Sequence, residues 1–281
     1  MIATFLTVPQ LIVFHAGVVL LVAAAIAGIA SMGRAGAGLR RWVPALTAAG
    51  FCVFTAVGVW RWAATGALPV TDVASVTVAC VWCLVAVYLV ASAVWNLERL
   101  APFLLGLAIL LALMALGMRV AGEAEGAVPE TVASSARAVL HLGPLLLGFA
   151  LFGLAAVASA GYLIQHRALK SKGGGGPARG LPSLERLAAV AHVSIEIGLP
   201  LVVAGVVVGF AFQALYGRLP GRWYAEPSVV LSVVTVAVFA VLLWAVHSRR
   251  VRGTKAAWLV VVGFALVVLA LVWGGHAPPA V

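Results

Sequence analysis

The sequence predicts an all-α integral membrane protein, a bundle of eight transmembrane helices with both termini extracytoplasmic. Three observations lead there. Of the 281 residues, 64% are hydrophobic and only 9% charged, with a mean hydropathy of +1.16. A soluble domain is about 25% charged, so this composition leaves too little polar surface to face water. Apolar runs of about 20 residues, the length that crosses a hydrocarbon core, recur from end to end. The basic residues collect in alternate connections between those runs. A disordered chain, a disulfide-rich secreted scaffold and a water-soluble enzyme are thereby excluded.

The first span covers 9–32. No basic residue precedes Arg34, and no small-residue cleavage site comes early enough, so this stretch reads as a membrane helix and not as a signal peptide. The next spans cover 43–62, 72–95 and 100–120, with Arg40 and Arg41, Arg61, Arg99 and Arg119 at or near their ends. The fifth, 138–165, runs into a basic tail. Segment 171–180, SKGGGGPARG, cannot hold a helix because consecutive glycines carry a large entropic cost, so it predicts a flexible cytoplasmic connection dividing five spans from three. Spans at 187–215, 228–247 and 256–273 complete a single polytopic membrane domain over 1–281, without an evident internal repeat.

Thirteen of the 18 Lys and Arg fall in 33–42, 96–99, 166–186 and 248–255. The other five, Arg61, Arg119, Arg137, Arg218 and Arg222, lie at or beyond the opposite ends of the helices. The positive-inside rule makes the first set of loops cytoplasmic. The net charge of +10 is thus a topology signal; it forms no basic face for nucleic acid, and the lipid bilayer is the surrounding medium. The outer loop 121–137 carries Glu123, Glu125 and Glu130.

In so apolar a bundle each ionisable side chain at membrane depth is a functional candidate. His15, His141 and His276 belong to the outer side, and His166, His192 and His247 to the inner side; Glu196 joins them within a span. His141 opens the fifth span and His276 follows the eighth, so the two imidazoles can reach one outer cavity if those helices lie near each other. Paired imidazoles are haem-iron ligands. A helix cap at His141 and a frayed tail at His276 are the plainer account. His192 and Glu196, four residues apart, share a helix face, as a carboxylate and the metal-bound imidazole it orients would, though a helix-to-helix hydrogen bond explains the pair equally. With His247 at the inner end of the seventh span, an inner bis-histidine site is geometrically possible. His166 beside Arg167 reads as interfacial, and His15 as bonded to a neighbouring helix.

Arg137, Arg218 and Arg222 are suited to gripping haem propionates, since guanidinium forms two-point contacts with carboxylates; interfacial snorkelling competes with that reading. Cys80 and Cys83 form a C-x-x-C inside the third span, where packing is favoured over redox chemistry. There is no C-x-x-C-H, so the chain attaches no c-type haem covalently to itself.

Longer stretches carry a resemblance. The fifth span and its tail read AVLHLGPLLLGFALFGLAAVASAGYLIQHRALKSK, followed by LPSLERLAAV and IGLPLVVAGVVVGF. With GALPVTDVASVTVACVW, YGRLPGRWYAEP and LLWAVHSRRVRG, they resemble the cytochrome c assembly family in its CcsA and HemX branch, from about residue 66 to the end. The resemblance implies haem b, held non-covalently by two outer histidines that map to His141 and His276, against a tryptophan-rich segment represented here by Trp223. It also implies an inner histidine at His247. The chain departs from the pattern in two places. Ala67 stands where some members have a histidine, which leaves His192 as the substitute inner partner. The tryptophan-rich segment is reduced to Tyr216-Gly217 and, further on, Trp223-Tyr224-Ala225-Glu226-Pro227-Ser228.

The expected function is haem handling in a bacterial cytoplasmic membrane: binding haem b at the outer face and transferring or stabilising it during cytochrome c maturation, with a second assembly protein or apocytochrome c as partner. The alternative is a HemX-like regulator or partner of tetrapyrrole-synthesis enzymes, acting through the basic loops without delivering haem. A transporter built on His192 and Glu196 lacks the expected repeat and paired broken helices. An electron-transfer cytochrome b that stacks two haems needs paired histidines on two helices, and no span here has two deep histidines at opposite ends.

Overall fold

A computed structural model of the chain describes residues 8–33, 36–66, 68, 70, 73–120, 136–171, 180–215, 227–248 and 250–274. Eight α-helices occur among them: α1 Val8–Ala30, α2 Trp42–Thr65, α3 Val73–Trp95, α4 Ala101–Val120, α5 Ala136–Lys170, α6 Leu184–Leu215, α7 Pro227–His247 and α8 Thr254–Gly274. No strand occurs among the described residues. By length and composition, α1 to α6 are long and apolar enough to cross a membrane. The described apolar parts of the last two, Ser232–His247 and Thr254–Val268, are shorter.

Each helix stops where the backbone stops favouring it. Gly66 ends α2 with φ 69°, its N–H bonded to the Trp62 carbonyl, the left-handed cap that glycine adopts without a Cβ penalty. Asn96, with φ 54°, closes α3 in the same region. α5 runs five residues past the expected span, because its basic tail, His166 to Lys170, continues the helix after the apolar run ends.

The helices form two compact units: 1–135 with 175–182, and 136–174 with 183–281. In the first, α1 packs on α2 and α4, and α3 on α4 and α2. Phe14 meets Phe54 edge-on at 5.1 Å, and Trp82 stacks on Phe51 at 5.2 Å while donating its indole N–H to Thr55 Oγ1 at 2.8 Å. A Cβ at Gly28 would come within 2.7 Å of Pro102 Cγ, so the missing side chain is what lets α1 lie against α4.

In the second unit α5 and α6 share the most extensive contact, and α8 bridges α5 and α7. A glycine seam explains the α5–α6 approach. A Cβ at Gly148 would overlap Val202, one at Gly198 would press on Phe152, and one at Gly205 would lie 2.6 Å from Leu145 Cγ. Backbones meet closely where small residues line the interface, which in lipid gains dispersion where burial from water gains nothing. Phe152 of α5 lies flat on Phe239 of α7, centroids 3.8 Å apart and planes 7° from parallel.

Within each unit the basic connections share one end. In the first, Arg40 Nε lies 3.7 Å from Glu98 Oε2, joining the α1–α2 and α3–α4 turns. In the second, the Arg167 guanidinium lies over the Trp258 ring at 5.7 Å, and a Cβ at Gly253 would touch the Tyr162 hydroxyl.

Candidate functional site

Both histidine positions of interest are built on α6, toward its two ends. His141, on the second turn of α5, is half-buried, and its Nδ1 lies 2.7 Å from the Gly205 carbonyl oxygen of α6. That bond fixes the ring and leaves Nε2 as the nitrogen free to act as a ligand. Gly209, one helical turn on, makes room for the ring: a Cβ there would overlap the imidazole. Pro144 lies on the next turn of α5 and removes one backbone donor, so the Leu140 carbonyl beside His141 loses its partner within the helix.

His276, the expected second ligand, lies outside the described residues, as do Arg218, Arg222 and Trp223. Arg137 falls in the first turn of α5, but its side chain is not among those described. Ala67 is also outside them.

At the other end, near the basic connections, the structure brings three expected residues together. His192 Nε2 lies 3.1 Å from Glu196 Oε1, the pair expected from the four-residue spacing on α6. His247, the last residue of α7, completes the group, its ring centroid 6.3 Å from that of His192. One ligand atom from each residue falls within 4.8 Å of the others. His192 to Gly205 is thirteen residues along one helix, so the two positions are about 20 Å apart.

The remaining candidates are placed plainly. His15 bonds through Nδ1 to the Leu11 carbonyl of its own helix at 2.7 Å, and not to a neighbouring helix as expected. A local i−4 carbonyl offers the nearer acceptor. His166 stacks along α5 on Tyr162, with centroids 6.1 Å apart, next to Arg167. Cys80 is half-buried and Cys83 buried, both as free thiols, in keeping with packing.

Reading the residues one by one missed Gly205 and Gly209. Their Gly-x-x-x-Gly spacing, the small-residue signature of close helix contact in membranes, was the available signal.

Comparison with known proteins agrees with the helical pattern. Residues 70–273 match the family model described as Cytochrome C assembly protein. Protein HemX of Brevibacillus brevis is 25% identical over 149 residues, covering 50% of this chain and 54% of that protein. An uncharacterized 28.8 kDa protein of Azospirillum brasilense is 33% identical over 131 residues, covering 47% of this chain and 48% of that protein. The chain thus spans about half the length of the curated relatives it matches. The family match runs from before α3 to the last turn of α8 and includes His141, His192 and His247; on that extent, the chain belongs to the cytochrome C assembly protein family.

Proposed function

We propose that the protein handles haem in a bacterial cytoplasmic membrane, as an eight-span bundle with both termini outside. It binds haem b non-covalently at its outer face through His141 and His276 and passes or stabilises it during cytochrome c maturation. The observation that carries this is the seating of His141. One ring nitrogen is committed to the Gly205 carbonyl and the ring rests over Gly209, which is how a ligating imidazole is held in one orientation. Family membership supplies the cargo.

When bound, haem would supply an iron that accepts imidazole nitrogens and a macrocycle that is apolar except for its propionates. The chain's part is to present His141 Nε2 at the end of the α5–α6 seam, to supply His276 from beyond α8, and to offer Arg137, Arg218 and Arg222 as counter-charges. Trp223 adds an aromatic wall. The partners on this reading are a second assembly membrane protein or apocytochrome c.

Purified protein is expected to show a Soret band and a haem b pyridine spectrum, and the double variant His141→Ala/His276→Ala to lose both. Unchanged absorbance in the double variant rejects the assignment. The likeness to Protein HemX favours a second reading, a partner of tetrapyrrole-synthesis enzymes that carries no stoichiometric haem; it predicts soluble enzymes co-purifying through the basic connections.

A further inference from the structure

We propose that His192, Glu196 and His247 form a binding site for one divalent first-row transition-metal ion, separate from the position of His141. Two imidazoles and one carboxylate are a donor set for zinc or ferrous iron. Tetrahedral geometry with bonds of about 2.0–2.2 Å puts ligand atoms about 3.3–3.6 Å apart. The His192–Glu196 pair already stands at 3.1 Å, and His247 has its donor within 4.8 Å of both. Its side chain is exposed at the end of α7, and binding would require it to turn toward the pair.

Charge argues the same way. Glu196 lies twelve residues into α6, about 18 Å along it, with its side chain 42% exposed. A carboxylate within an apolar helix is a functional candidate, and the His192 imidazole beside it is a second donor on the same face. A dication held by both groups neutralises the carboxylate. The Arg250 guanidinium, three residues after His247, lies over the face of Trp244, 4.7 Å from the ring centroid.

The site suits a compact ion and not a macrocycle. Glu196 Oε1 lies 3.1 Å from His192 Nε2, so an ion bound there would take a carboxylate together with imidazole, a mixed donor set unlike the imidazole pair that haem iron accepts. Three protein ligands, all partly exposed, leave a fourth position open to water or an incoming ligand, the pattern of exchangeable zinc sites. Imidazole donors disfavour the hard cations magnesium and calcium.

The full-length protein, purified in detergent on a tag without histidine and stripped with chelator, tests this by titration with Co2+ followed by visible ligand-field absorption. The expected result is one saturable equivalent, displaced by Zn2+ and not by Mg2+ or Ca2+. Glu196→Gln and His247→Ala should each weaken Co2+ binding by at least about tenfold, whereas His166→Ala should leave it unchanged. Glu196→Gln keeps the side-chain shape, so it decides the matter even where His247→Ala folds poorly. Absence of a saturable equivalent in the wild type, or wild-type affinity in Glu196→Gln, overturns the proposal. So does loss of a Soret band in His247→Ala with Co2+ binding intact.

Discussion

At the scale of single residues, the glycines of α6 decide more than their lack of side chains suggests. His141 holds its orientation because Gly205 offers a carbonyl and Gly209 offers space. Gly209→Ala puts a methyl group where the ring lies, so the ring must turn and its bond to Gly205 lengthen. Haem affinity is expected to fall about tenfold or more, the equivalent of one hydrogen bond to an oriented ligand. Haem titration followed by absorbance checks this. Gly143→Ala serves as the control, since a Cβ there meets nothing within 4 Å, and it should bind as the wild type does. His192 and Glu196 were legible as a pair because residues four apart on a helix must face one way. The arrival of His247 was only a possibility, because it depends on how α7 packs against α6, and local spacing carries no such information.

At the scale of elements, hydropathy located eight apolar runs and eight helices lie on them, with ends shifted by a few residues. The largest shift, the continuation of α5 to Lys170, escaped because an apolar window ends where polarity begins, while helix propensity does not. Packing between helices was less legible. A run that is hydrophobic all round does not declare which face meets a neighbour, so the stack of Phe152 on Phe239 could not be read ahead of time. Both rings are buried to within 1% of full coverage. Phe239→Ala removes the contact and should destabilise the second unit by about 2 kcal/mol. That is less than the cost in a water-soluble core, because lipid already supplies an apolar surrounding. A lowered midpoint on thermal unfolding in detergent, read against Val241→Ala on the exposed face of α7, measures it.

For the whole molecule, the charge pattern makes a prediction that hydropathy alone cannot. Arg40 and Glu98 join two basic turns in one unit, and Arg167 and Trp258 mark the shared end of two more in the other. If those ends face the cytoplasm, a single cysteine at Ser171, in a chain with Cys52, Cys80 and Cys83 replaced by alanine, reacts with an impermeant maleimide only after the cells are opened. A cysteine at Ala225 reacts in intact cells. The reverse pattern inverts the orientation and moves His141 to the cytoplasmic side. Of the two histidines proposed to hold haem, only His141 lies among the described residues; His276 follows the last helix, where no periodicity constrains the chain.

The 35 residues of α5 form one helix about 52 Å long, against a hydrocarbon core of about 30 Å. Such a rod cannot be immersed along its whole length. With His141 near one tip and Arg167 and Lys170 at the other, the imidazole and the basic tail stand further apart along one rigid axis than the hydrocarbon is thick.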